Sequence, residues 1–268
     1  PDINLTPYTI WLATVVVSGI SYLSYLLKRY VFRESGVLVS GIIGGLYSST
    51  ATISVLARKS RNAHSQEASE YVAAMLLAVS MMFLRFMILI LIFSSTIFTS
   101  IYPYLLIMAA VAAVVAWFIH TRRKRTPDAD LVEEEDDSSN PLEFKVALIF
   151  AGLFVIFTVL THYTLIYAGT GGLNLLSFVS GFSDITPFIL NLLQGTGSVA
   201  ATVVMACTMQ AIISNIVVNM CYALFFSGKQ SKLRSWILGG FGCVIVANVL
   251  LLSVSYTHLR AHETELHL

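Results

Sequence analysis

Charge is scarce in this chain. Of its 268 residues only 12% are Asp, Glu, Lys or Arg, while 56% are hydrophobic. A soluble domain carries about 25% charged residues. Half that supply cannot coat a globule of this size, so a soluble enzyme, a nucleic-acid binder and a disordered chain are excluded. Cysteine is equally sparse. Cys207, Cys221 and Cys243 all fall in apolar stretches, without C-x-x-C spacing or a disulfide framework, and read as small apolar residues. Catalytic signatures are missing too: there is no G-x-S-x-G, no Walker loop and no H-E-x-x-H. No enzymatic activity and no cofactor are expected. The chain opens at Pro1-Asp2 without a Met or a basic leader, so no signal peptide is expected and a start inside a longer protein is.

What is present is apolar length. Eight stretches run roughly Tyr8–Leu27, Val37–Ala57, Tyr71–Phe93, Ile101–Ile119, Phe144–Tyr167, Leu173–Leu193, Val199–Phe226 and Trp236–Ser253. A hydrocarbon core of about 30 Å takes about 20 apolar residues per crossing helix. Backbone in lipid must satisfy its own hydrogen bonds, and no period-2 alternation argues for a barrel. The expectation is an all-α integral membrane protein whose first partner is the lipid bilayer. Residues 121–143 form the one long polar link, from Arg122-Arg123-Lys124-Arg125 into Glu133-Glu134-Glu135-Asp136-Asp137, and read as a solvated tether. Residues 256–268 break with everything before them and read as a foreign tail.

The halves look alike. Residues 1–120 and 144–255 each hold four apolar segments, and the second of each four is interrupted by Gly, Ser, Thr, Asp or Pro. In the first repeat the interruption is Gly44-Gly45 with Ser48-Ser49-Thr50. In the second it is Gly181 with Ser183-Asp184, Thr186 and Pro187. Gly181 follows Gly45 by 136 residues, and Val199-Ala200-Ala201 follows Val72-Ala73-Ala74 by 127. Repeated halves are common in transporter folds. With eight full crossings, Lys28, Arg29, Arg33, Lys229, Lys232 and Arg234 lie opposite Arg58, Lys59, Arg61, Arg122, Arg123, Lys124, Arg125 and Lys145. If both interrupted segments instead re-enter on the face they came from, all these cations share one side, as membrane topology favours. Ser, Thr and Asp start helices and Pro suits a first turn, so each interrupted segment reads as half-helix, turn, half-helix. Ordinary glycine-packed crossing helices are the plainer reading of the same residues.

Well inside the apolar stretches stand one acid, Asp184, and one base, Arg85. A charge at bilayer depth costs at least about 2.5–3.5 kcal/mol, so each needs a reason, and the obvious arrangement is an ion pair between them. Thr208, Gln210, Ser214, Asn215 and Asn219 add polarity to the seventh stretch, either as helix–helix glue or as the lining of a path. The candidate path for a substrate or ion is Ser48, Ser49, Thr50, Arg85, Ser183, Asp184, Thr186 and Asn215, with backbone breaks at Gly44, Gly45, Gly181 and Pro187. Half-helix amino ends and Arg85 favour an anion or polar solute. One carboxylate among hydroxyls would suit a proton or monovalent cation. One Asp is thin support for Mg²⁺, and the metal stays unknown.

The strings Gly44-Gly45-Leu46-Tyr47-Ser48-Ser49-Thr50-Ala51, Leu56-Ala57-Arg58, Asn140-Pro141-Leu142, Ser180-Gly181-Phe182-Ser183-Asp184 and Ser214-Asn215 carry a family likeness. Over about Leu5–Leu252 the chain resembles the membrane domain that follows the MgtC/SapB domain in bacterial and archaeal proteins. The resemblance implies a multi-pass protein of the prokaryotic inner (plasma) membrane, linked by family name to magnesium limitation, with no activity assigned to this domain. Relatives often carry a Lys one turn beyond the residue matching Asn215, where this chain has Asn219. Two functions are open: a transporter or channel-like protein for an ion or small polar solute, or a non-transporting regulator that binds another membrane protein. A homo-oligomer is compatible with either.

Overall fold

The computed structural model describes residues 6–32, 36–61, 67–122, 144–195 and 199–265. Most of the charged link 121–143 lies outside these residues. The described elements are α1 (Pro7–Leu26), prolonged by a π-helical turn (Leu27–Val31), α2 (Val37–Ser60), α3 (Ala68–Phe93), α4 (Ser95–Thr121), α5 (Phe144–Ser180), α6 (Ile185–Gly195), α7 (Ala201–Phe226) and α8 (Ser231–Glu265). Local chemistry sets their ends. Thr6 and Thr9 cap α1 reciprocally with Pro7 in the first turn. Extended Ser94 closes α3 and caps α4 through the Ile97 N–H, so the two helices turn on one residue. The backbone of α8 continues to Glu265, through most of the expected tail.

Among the described residues, seven helices are long and apolar enough to cross a membrane, rather than the eight crossings that length alone allows. Their outer faces expose Leu106, Val114, Leu148, Val246 and Leu250, an apolar perimeter of the kind that meets lipid, not water. The core lies around α3 and α7. In these, 56% and 72% of the apolar span is buried, against 22–33% in the other five.

Two helices are not straight rods. Ser48 in α2 leaves helical space (φ −158°, ψ 110°). A continuous helix would separate Gly44 and Thr52 by about 12 Å along its axis. Instead, a Cβ placed on Gly44 would lie 2.5 Å from the Thr52 Oγ1. Residues 37–47 and 49–60 therefore fold back on each other as a helical hairpin. In α5 the break is Gly169 (φ 58°, ψ −152°), a conformation open essentially to Gly alone. A Cβ on Gly172 would lie 2.8 Å from the Thr164 Cγ2, so residues 170–180 run back along 144–168. After the turn at 181–184, α6 returns beside the same helix: the Phe188 and Phe157 rings lie 5.6 Å apart and Asn191 donates to Thr158 Oγ1 at 2.6 Å. The apolar stretch 173–193 is thus two half-helices joined by a turn.

Each hairpin packs its first half on the next long helix. A Cβ on Gly41 would collide with the Ala74 carbonyl oxygen, and one on Gly45 would lie 2.5 Å from the Ala78 Cα. In the second half, the Cys207 thiol donates to Asn174 Oδ1 at 3.4 Å, Ser177 donates to Gln210 Oε1 at 2.9 Å, and Gly181 lies against Ser214. Gly44 and Gly45 keep helical dihedrals, since the only non-helical residue of α2 is Ser48. Their function is close approach, and the break expected there falls three residues later.

These contacts predict opposite signs for two alanine substitutions. Gly45→Ala forces a Cβ into the Ala78 backbone and is expected to destabilise by about 1–3 kcal/mol. A Cβ on Gly19 would meet no atom within 4 Å, so Gly19→Ala is expected to gain up to about 1 kcal/mol from helix propensity. Unfolding in detergent followed by circular dichroism would separate the two.

Candidate functional site

A chain that breaks its helix in lipid exposes carbonyls behind the break and N–H groups ahead of it. At the first break, Ser48 Oγ accepts the Ala51 N–H at 3.3 Å and so caps residues 49–60. Behind it, Arg85 Nη1 reaches from α3 and donates to the Tyr47 carbonyl at 2.8 Å. At the second break, Asp184 Oδ1 accepts the Thr186 N–H at 2.9 Å and caps α6. Behind it, Asn215 Nδ2 reaches from α7 and donates to the Gly181 carbonyl at 3.2 Å. Ser183 adds a hydroxyl donated to the Ser180 carbonyl at 3.1 Å. Pro187 sits in the first turn of α6, where its missing N–H costs nothing. It starts a helix rather than breaking one.

The two breaks face one cavity of about 440 Å³. All eight expected path residues line it: Ser48, Ser49, Thr50, Arg85, Ser183, Asp184, Thr186 and Asn215. Gly45 and Gly181 line it too, whereas Gly44 and Pro187 do not. Ser18 and Ser21 of α1, Tyr47, and Tyr222 of α7 also line it. The sequence signal for the serines was their i, i+3 spacing on one helix face. Tyr222 gave no signal, because aromatic residues are common at every depth of such a chain.

Arg85 and Asp184 do not form the expected ion pair. Each is instead bonded to a backbone group that the break beside it leaves without a helical partner. They still share the cavity wall, and the Asp184 carboxylate acts electrostatically on Arg85. Arg85 is 8% exposed, and its Nε is buried without a partner among the described residues. Asp184 and Ser183 remain exposed.

The α7 polar residues divide by role. Gln210, Ser214 and Asn215 bond residues 177–181, and Asn219 Nδ2 donates to Asn215 Oδ1 at 3.1 Å. The Thr208 hydroxyl and Asn219 Oδ1 are buried without a partner among the described residues. Among the described residues no group of three or more His, Cys, Asp or Glu side chains could hold a metal ion.

Helices of this length and apolarity, packed around a cavity with polar groups in its wall, define an all-helical, multi-pass membrane protein. The chain belongs to the family described as Domain of unknown function (DUF4010), which matches residues 15–227. An "Uncharacterized protein" of Aquifex aeolicus (strain VF5) is 25% identical over 227 residues, covering 82% of this chain and 96% of that relative. No solved structure matches. The membrane-domain resemblance thus stands as membership of this family, and neither match bears on the MgtC/SapB module.

The cap at Asp184 is directly testable. Asp184→Ala removes the acceptor for the Thr186 N–H and is expected to cost about 0.5–2 kcal/mol, while Asp184→Asn keeps an acceptor and most of the stability. Unfolding midpoints of both variants in detergent would check this.

Proposed function

We propose that this protein is a transporter or channel-like protein for a small polar solute or ion, with the 440 Å³ cavity between the two broken segments as its substrate chamber. The convergence of both breaks, with Arg85 and Asp184, on that one cavity carries the reading. Such a protein needs no catalytic group. Intramembrane ionisable residues on a cavity wall mark solute and ion paths by default, and discontinuous helices supply substrate sites in transporter folds.

Two further observations support an inverted-repeat topology. Contacting pairs recur at one spacing: Gly41 with Ala74 and Gly45 with Ala78, then Asn174 with Cys207, Ser177 with Gln210 and Gly181 with Ser214, each 33 residues apart. A shift of 136 carries Gly41–Ala74 onto Ser177–Gln210, Gly45–Ala78 onto Gly181–Ser214, and the cap Ser48 onto the cap Asp184. The 127-residue match has no such support, since Val72-Ala73-Ala74 lies inside α3 and Val199-Ala200 precedes α7.

The second observation concerns the membrane faces. The Arg58 guanidinium lies 4.6 Å from the Phe226 ring centroid, and Gly228 packs on Arg61. Eight full crossings would hold these residues on opposite faces, about 30 Å apart. Re-entrant hairpins at α2 and at 170–195 put them together, on the face that also carries Lys28, Arg29, Arg122 and Lys229. By the positive-inside rule that face is cytoplasmic, in a prokaryotic inner membrane. A tie to magnesium homeostasis rests on the resemblance to proteins with an MgtC/SapB module.

Single cysteines placed in a background free of Cys207, Cys221 and Cys243 would test the topology. Gly36→Cys and Arg61→Cys are expected to react with an impermeant maleimide from the cytoplasmic face, and Thr170→Cys and Ala200→Cys from the other. Opposite labelling within either pair would defeat the re-entrant reading. Transport itself is tested by flux of labelled sodium, phosphate, acetate and glycine into proteoliposomes. Flux of at least one is expected, reduced about tenfold by Arg85→Gln, which corresponds to about 1.4 kcal/mol. No flux of any solute, with one membrane partner copurifying in fixed ratio, would favour the regulator instead.

A further inference from the structure

The cavity wall carries an excess of hydrogen-bond donors on one side. Arg85 brings five guanidinium N–H donors. Among the described residues only one of its nitrogens, Nη1, has an acceptor, and Nε is buried with none. A guanidinium that is 8% exposed and so poorly served is costly unless something else accepts from it. Beside it begins the half-helix 49–60. Its Ala51 N–H is taken by Ser48, but the first helical turn has no intrahelical acceptors for its other N–H groups. Ser49 and Thr50, which open that turn, line the same cavity as Arg85.

The Asp184 carboxylate offsets the charge of Arg85. The half-helix amino ends at 49 and 185 and the carboxyl ends at Tyr47 and Gly181 meet at the same cavity and offset one another, at about half a charge apiece. The carbonyls of Tyr47 and Gly181 are already served by Arg85 and Asn215, whereas donors of Arg85 and of the helix start at 49 are left to serve. A bound anion is therefore held by these donors and not by a net charge of the lining.

We propose that the chamber binds a compact oxyanion, the anionic group of a small solute, between the Arg85 guanidinium and the amino end of residues 49–60. The planar fork of Arg85 and the free N–H groups of a helix start both match carboxylate or phosphate oxygens. Asp184, which lines the same cavity, then acts as the negative side of the site and is the place for a cationic group on the same solute or a coupled ion. The inference rests on reading the cavity as the substrate chamber.

The test uses the purified full chain in detergent, titrated with sodium phosphate or sodium acetate against sodium chloride at matched ionic strength, with thermal unfolding and calorimetry as readouts. A saturable shift with phosphate or acetate beyond chloride is expected, and the more effective salt tells a phosphoryl from a carboxylate group. Arg85→Gln is expected to weaken that affinity about tenfold or more. Arg85→Lys, which keeps the charge but not the fork, is expected to fall between them. Asp184→Asn, which removes the opposing charge and keeps the cap, is expected to tighten it. A purely structural role would move the Arg85 and Asp184 variants the same way.

The proposal is overturned if neither oxyanion exceeds chloride, or if the response survives both Arg85 variants unchanged. Oxyanion binding without flux would leave it standing and remove the transport reading. Sodium flux without oxyanion binding would do the reverse.

Discussion

Every backbone N–H and C=O inside a bilayer must find a partner within the protein, because lipid offers none and an orphaned group costs several kcal/mol. The architecture follows from how the chain meets that demand where it stops being helical. Ser48 and Asp184 supply acceptors ahead of the two breaks, and Arg85 and Asn215 supply donors behind them. The donors come from α3 and α7, the two most buried spans. The breaks can exist only where those helices pass, so they end up facing each other across one cavity.

Close packing makes this reach possible. In the first half the approach is apolar, with Gly41 and Gly45 on the α3 backbone. In the second it is partly polar, through Asn174, Ser177 and Ser214. Similar geometry is thus held by different chemistry, and the ionisable groups are split: the base serves the first break and the acid the second. The cavity between the two halves is lined by polar and apolar side chains together, is unsymmetrical, and is bounded by one cation and one anion that do not neutralise each other by contact.

Much of the site was legible in the residues because membrane chains are sparing with charge. One acid and one base within the apolar stretches, with small hydroxyl residues at two interruptions, point to eight residues that all line the cavity. The partnership between Arg85 and Asp184 was misjudged, since sequence shows two opposite charges but not the carbonyl or amide beside each. Gly44 and Gly45 were misplaced for a related reason. A glycine pair marks either a break or a close contact, and only the neighbour, Thr52 or Ala78, tells which. Ser18, Ser21 and Tyr222 were missed because a hydroxyl on an apolar helix looks the same whether it faces a chamber or a neighbouring helix.

By itself the sequence determined that this chain is helical and lives in a membrane, since its supply of charge is too small for any other solvent. It also marked where the second and sixth stretches could break, through the capping and turn preferences of Ser48, Gly181 and Asp184, but not the break at Gly169. Tertiary structure decided that the interrupted segments double back instead of bending, and that both breaks open on one cavity. Those outcomes depend on which side chains from distant helices reach the exposed backbone groups. Contacts between residues 33 or 38 positions apart are set by packing, and no local preference encodes them.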